Sequence, residues 1–563
     1  MREKYIDLME KALSAYTTEH IVRYFDEVRR EGLSEHGFPR LTVNIGILIA
    51  HGRRVELLPL FLEMMQLVCH SIPRVHAANN FSVREVVACL LEIEKSGVVA
   101  RETVERWKSY LKAIDPGACY EICAKTVDDR VKNWAIFAAV SEIHRKNAGL
   151  GGDDGWIDIQ LGAQLRWIDE NGMYMDGEGD IRHPMMYDIV SRGLFAMLLN
   201  AGYRGRYRDE IDGCLKRAGL LTLKMQSPSG EMAFGGRSNQ FIHNEALLAV
   251  VYEYEAQRYA AQGNTRLAAK FKAATARALA VVEEWLSKSP ISHVKNRFPI
   301  EGRVGCEEYA YFDKYMITVA SNLYAAYSIS DDSIAYDAAV DVAPSAFVTS
   351  THFHKAFLKA GGYGIQFDLN ADSHYDAFGL GRVHRVGAPS TICLSLPCPS
   401  DPIYTVDVVG GAVSLCPGIL RDGKMKFATD ADSIYEIEDI FTEGNAAFVG
   451  MHTRFSGGEV VNSKYRVSAE GVDIDVTGDG EVLFMLPAFS FDGGEYSEIE
   501  RTGRTLSIFY RGWTCRYTVD GEICDTCRLS ANRNGHYRVY FASAKNNLKI
   551  KIEILEGKAP WTE

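Results

Sequence analysis

The sequence predicts an α+β multidomain protein: an N-terminal (α/α) toroid or incomplete barrel over residues 1–335, then an antiparallel β-sandwich over 345–563. Three observations predict it. Up to about residue 335, runs of apolar residues three and four apart recur with short Gly- or Asp-rich joints between them, the period of paired helices. These runs are too many for one bundle and show no obvious sequence repeat, which suggests a toroid or solenoid. Beyond about residue 345 the period drops to two, with Gly, Asp and Asn turns.

The helical elements follow in order from "EKYIDLMEKALSAYTTEHIVRYFDEV" and "VELLPLFLEMMQLVCHSI" through "SVREVVACLLEIEKSG", "VKNWAIFAAVSEIHRKN" and "WIDIQLGAQLRWIDENG". "YDIVSRGLFAMLLNAG" and "TRLAAKFKAATARALAVVEEWLSK" continue the series. The segment "SISDDSIAYDAAVDVAPSAFVTS" reads as the connection. "YTVDVVGGAVSL", "NAAFVGMHTRF", "GVDIDVTGDGEVLFML", "RTLSIFYRG" and "NNLKIKIEIL" then alternate as strands, the last closing the second domain near Leu555.

Composition excludes several classes. The 563 residues carry a formal net charge of -12, which leaves no broad cationic surface for nucleic acid, although a local basic cleft for an acidic ligand is compatible with it. No uninterrupted apolar stretch reaches the roughly 18 residues of a membrane span. The charged amphipathic start "MREKYIDLMEKALSAY" is unlike a secretory leader, so a cytoplasmic location is expected. The twelve cysteines are scattered, which favours reduced thiols; "CDTC" has metal or redox spacing without a second pair to complete it.

One segment is chemically dense. "GGRSNQFIHNE", residues 235–245, crowds Arg237, Ser238, Asn239, Gln240, His243 and Glu245 ahead of an apolar helix, more polar groups than capping uses. "KNWAIF" puts Asn133 and Trp134 at another helix head. "ENGMYMDGEGDIRHPMMYD" offers Asp176, Arg182, His183, Tyr187 and Asp188, and the segment from His293 offers Glu308, Tyr309, Tyr311, Lys314 and Tyr315. Inner-helix N-termini of a toroid open onto one face, so these groups are expected to converge on a groove in which rings stack on sugars while Asn, Arg and His hold hydroxyls and carboxylates. A fifth cluster, Asn370, His374, Tyr375, Asp376, Arg382, His384 and Arg385, lies early in the β region; its His and Asp residues also admit a structural divalent metal, though no ligand spacing is evident. No other cofactor is implied.

In this order and texture the chain resembles the two-domain polysaccharide lyases of the heparinase II/III type, including related uncharacterised bacterial proteins, on its Asn-Trp helix start, its Gly-Arg-Ser segment and its tyrosine pair before a late helix. The resemblance implies a cleft between toroid and sandwich. It implies catalytic roles for Asn239, His243, Tyr311 (with Tyr309 and Tyr315 as rivals) and His384. Substrate binding would then fall to Asn133, Trp134, His183, Tyr187, Arg237, Gln240, Tyr309, Tyr315 and Arg382. The implied reaction is β-elimination on a uronate-containing, imported acidic oligosaccharide: donors neutralise the sugar carboxylate, a base takes the adjacent proton, and a phenol whose pKa is depressed by nearby cations shuttles it.

Two other readings stand beside this one. A glycoside hydrolase would need paired carboxylates, for which Asp176, Asp188, Glu245 and Glu308 are candidates. A non-catalytic carbohydrate-binding protein would use the same groups only to bind. A homo-oligomer is compatible with the sequence.

Overall fold

The computed structural model describes residues 1–177, 182–337, 339–430 and 432–558. Residues 178–181 of the polar segment before Arg182, and 559–563 at the end of the second domain, lie outside the described residues.

The helices are α1 (Arg2–Leu13), α2 (Thr18–Glu31), α3 (Gly37–Ala50), α4 (Leu58–Ser71), α5 (Asn79–Ser96), α6 (Arg101–Lys112) and α7 (Pro116–Cys119). They continue as α8 (Trp134–Asn147), α9 (Asp154–Leu165), α10 (Met185–Asn200), α11 (Arg208–Met225), α12 (His243–Ala261), α13 (Thr265–Leu286) and α14 (Phe312–Ile329). Six of them touch in a cycle: α3, α5, α8, α10, α12, α14 and back to α3. The inner helices of the expected toroid therefore form a closed ring.

Composition separates ring from shell. α3 buries thirteen of its fourteen residues and α10 thirteen of sixteen, whereas α2 and α6 bury three each along one stripe. The outer helices pack on the ring, α4 on α3, α9 on α8, α13 on α12 and α1 on α14. The run Val55–Arg74 is long and apolar enough to cross a membrane by composition alone, an exception to the sequence reading. Here it centres on α4, which buries Phe61, Met64, Met65, Val68 and Cys69 in the toroid core.

Strands begin with β1 (Ser345–Val348), β2 (Lys355–Ala360), β3 (Tyr363–Asp368) and β4 (Gly379–Arg385), an antiparallel sheet in that order. β5 (Pro417–Arg421) to β15 (Gly535–Glu556) form an eleven-stranded sheet organised on two long antiparallel strands, β10 (Gly471–Phe491) and β15. The small sheet covers the large one, and Leu358, Phe367 and Val383 share a core with Val449, Tyr465 and Ile474. All twelve cysteines are unbridged.

Candidate active site

The inner helices are parallel, so their N-terminal turns share one end of the ring. A cavity of about 790 Å³ opens there, and every described residue lining it falls between Ser34 and Asn322. The sandwich contributes no lining residue among those described. Each inner helix sends its first turns in: Arg40 from α3, Phe81 and Arg84 from α5, Trp134 and Phe137 from α8, Tyr187 and Val190 from α10, His243 and Leu247 from α12, and Lys314, Tyr315 and Thr318 from α14.

Charge is concentrated in this cavity. Among the described residues, six cations, Arg40, Arg84, Arg130, Lys132, Arg237 and Lys314, line it together with two carboxylates, Glu35 and Asp176. The partial positive ends of six helix dipoles point the same way. In a chain of net charge -12, this is a local basic pocket that gathers anions.

Arg237, Ser238 and His243 reach the cavity from the Gly-rich loop. Arg237 pairs with Asp176 and stacks on the Tyr187 ring at 4.2 Å. Ser238 Oγ lies 3.0 Å from the Tyr309 hydroxyl and 3.5 Å from that of Tyr187. The His243 ring stands edge-on to Tyr315 at 5.1 Å, and Tyr309 lies 6.3 Å from Tyr315. Burial, with His293, Arg40 and Lys295 adding to it, pushes the His243 imidazole down to about 3, so it is neutral at physiological pH. Burial also raises the Tyr309 and Tyr315 phenols, with Tyr187 and Glu307 adding to it. This corrects the expected depressed tyrosine: both are neutral phenols, suited to giving a proton.

The rest of the loop's polarity serves its own backbone. Ser238 and Gln240 take left-handed φ of 57° and 66°, beside Gly236 at 73°, so the loop cannot pair as a regular element. Gly236 has a further reason to lack a side chain: a Cβ there would sit 2.9 Å from Pro184. Asn239 Nδ2 donates to the Ala233 carbonyl, Gln240 Nε2 to Asn239 Oδ1, and Asn244 Nδ2 to the Ser238 carbonyl. Glu245 accepts from Met232 N and Lys295 Nζ. Asn239 and Gln240 therefore lie buried beneath the cavity and do not line it.

The sandwich acts on the loop from behind. Arg533 donates to both oxygens of Glu307, at 2.6 and 3.0 Å, and Glu307 Oε1 accepts the Ser238 N–H at 2.6 Å. Asp376 accepts the Gly236 N–H at 2.7 Å. Neither Arg533 nor Glu307 stands out in the sequence.

Several expected residues lie elsewhere. Tyr311 lines a neighbouring groove with Arg23 and Asp313; a turn, closed by Tyr311 N–H to the Tyr309 carbonyl, sends the two rings to different sides. His384 is buried against Ser227 and Ser229 at 2.6 and 2.9 Å. Arg382 donates to the Ser395 and Met232 carbonyls, and His183 packs against His352 and Phe353. The His and Asp of residues 370–385 diverge, His374 to Asp401 and Asp376 to Gly236. Among the described residues no three metal-ligating side chains converge. Of the hydrolase carboxylates only Asp176 lines the cavity, joined by Glu35, which is tied to Tyr24 and Lys314.

Sequence reasoning missed the cavity's floor. Arg40 Nε donates to both oxygens of Glu85 at 3.1–3.2 Å, Arg84 NH2 donates to the same carboxylate at 2.8 Å, and Ser321 Oγ adds a third donor at 2.7 Å. The three charged residues are 5–6% exposed.

Buried imidazoles couple this architecture to pH. Burial is the first cause that lowers His243 to about 3, His293 to about 4 and His384 to about 3. In the unfolded chain each would titrate near 6.5. Below that value the unfolded state binds protons that the native state does not, so stability is full above 6.5 and falls as pH drops towards 4. At pH 5 each group is expected to cost about 2 kcal/mol. Thermal unfolding should show Tm falling steadily from pH 7 to 5, and a flat Tm across that window would contradict the assignment.

A closed helical ring with a cation-rich, aromatic-lined mouth, backed by a β-sandwich, defines the class: a two-domain toroid–sandwich protein with a concave site of oligosaccharide size. Among solved structures, the chain is similar to Heparinase III at 8% identity and a TM-score of 0.49, covering 93% of this chain and 78% of that one. It is also similar to a heparan sulfate lyase mutant from Pedobacter heparinus, at 8% identity and a TM-score of 0.47, covering 93% and 77%. A glycosyl hydrolase family 88 protein from Bacteroides vulgatus matches 58% of this chain and 98% of its own, at 12% identity and a TM-score of 0.36. No family model and no curated protein matches.

Proposed function

We propose that this protein is a lyase that cleaves a uronate-containing oligosaccharide by β-elimination in the toroid cavity. The observation that carries the reading is the meeting of a cluster of cationic side chains with a neutral imidazole and two neutral phenols in one cavity.

A uronate carboxylate seated against Arg237 and the helix N-termini has its charge offset, which makes the neighbouring C5–H acidic enough to lose. His243 takes that proton, and the incoming anion raises its basicity from the depressed resting value. The C–H electron pair becomes the C4=C5 double bond, the C4–O bond breaks, and the departing oxygen takes the proton of Tyr309. Proton return from His243 to the tyrosinate, through Tyr315 between them, restores the starting state. Trp134 and Tyr187 supply stacking faces for the sugar rings. Among the described residues, both cavity carboxylates, Asp176 and Glu35, are paired with cations, which favours elimination over hydrolysis.

The test is a panel of oligosaccharides that contain a 4-O-glycosylated uronate, followed by ultraviolet absorbance. The expected result is a conjugated product from at least one of them and none from its carboxyl-reduced counterpart. Equal cleavage of both would exclude the role given to the cation cluster.

A further inference from the structure

We infer that Arg84, with Arg40 beside it, is an anion-anchoring site at the blind end of the cavity, built for the carboxylate or sulfate ester of a chain-terminal sugar, so that the protein degrades its glycan from one end. The inference rests on the proposed reading of the cavity as a glycan site, and it begins from a charge imbalance.

Two buried guanidinium groups share one carboxylate, Glu85. Arg40 spends itself on that carboxylate and on the Thr318 hydroxyl at 2.8 Å. Arg84 is left poorly matched: NH2 reaches Glu85, NH1 has the Met197 sulfur at 3.3 Å as its hydrogen-bond partner, Nε is buried with no hydrogen-bond partner, and the group otherwise lies over the Phe137 ring at 5.8 Å. A thioether is a weak acceptor. The imidazoles nearby add no further charge, since burial first, and then Arg40 or Arg84, holds His36 and His144 at about 4 and therefore neutral. A buried charge without a matching partner is costly to keep. A bound anion would complete it, and a carboxylate or sulfate offers the planar pair of oxygens that a guanidinium holds best.

Position gives the site its consequence. Arg84 and Met197 line both the main cavity and a separate chamber of about 130 Å³ behind it, so their side chains form the partition across the ring axis. A glycan can enter from the mouth but cannot thread past that partition. The group that reaches Arg84 therefore belongs to a terminal residue.

The experiment compares the full-length protein with its Arg84→Met variant by thermal unfolding, with glucuronate, inorganic sulfate and glucose as probes. Glucuronate, sulfate or both should raise the wild-type Tm by about 2 °C or more at saturating concentration while glucose does not; glucuronate alone marks a carboxylate site, and sulfate alone a sulfate-ester site. Arg84→Met leaves Glu85 matched one-to-one by Arg40, so the variant should be at least as stable as wild type and lose the anion shift. An equal shift in both proteins would overturn the proposal. So would a large loss of stability in the variant, which would make Arg84 a structural partner of Glu85. On a long uronate glycan, products of the smallest size should appear from the start, and a ladder of intermediate lengths would overturn end-directed action. The Tm readout needs no turnover, so an anion shift without unsaturated product would leave the anchor standing while the lyase reading fails.

Discussion

Tyr309→Phe is expected to lower kcat by about 10²–10⁴-fold on any uronate oligosaccharide that the protein cleaves, with KM little changed, because it removes only the proton offered to the departing oxygen. The variant should fold normally. Tyr309 is 42% exposed, and its hydroxyl meets only the Ser238 hydroxyl, which can turn to water. Tyr311→Phe is the matched control, since its ring lies in the neighbouring groove under Arg303 at 4.5 Å. If Tyr309→Phe kept full activity while Tyr311→Phe lost it, the assignment made here would be reversed.

The second large effect is on stability. Arg533→Met should destabilise the protein by about 3–5 kcal/mol, since it leaves the Glu307 carboxylate, 2% exposed, without its counter-ion. Activity should fall as well, because Glu307 holds the Ser238 backbone in its left-handed conformation. Adding Glu307→Gln to Arg533→Met should recover much of the stability, as the stranded charge is then gone. Chemical denaturation of the single and double variants measures this. Additive losses would mean that the pair does not act as a unit.

The large features of the fold were legible because period is a direct imprint of burial. Ring helices such as α10 are apolar on nearly every side, shell helices such as α2 on one, and the strands on alternate residues. Closure of the ring was not legible, since it depends on α14 meeting α3 across some 270 residues of chain. The convergence of Trp134, Tyr187, Arg237 and His243 followed from helix N-termini sharing one face. Roles within the 235–245 segment did not, because a loop with left-handed residues consumes side-chain amides to satisfy its own backbone, and Asn239, Gln240 and Asn244 look the same in sequence whether they face a ligand or a carbonyl. His384 and Arg382 were assigned by resemblance alone, and the structure buries both away from the cavity.

A signal for the cavity floor was present. Arg40 in "PRLTVNIGI" and the Arg84–Glu85 pair in "VREVVACLL" interrupt apolar stretches, and a charge at such a position must be paired, ligated or functional. Arg533 gave no such signal, because it lies in a turn between strands and its partner Glu307 is 226 residues away.

Under the proposed function, acid-sugar cleavage proceeds by proton abstraction and not by attack of water. Turnover of an oligosaccharide with a 4-O-glycosylated uronate in ¹⁸O-labelled water, with products read at once by mass spectrometry, separates the two. Elimination yields an unsaturated terminal sugar and no ¹⁸O in either fragment. A saturated product carrying one ¹⁸O at the newly formed reducing end would contradict it.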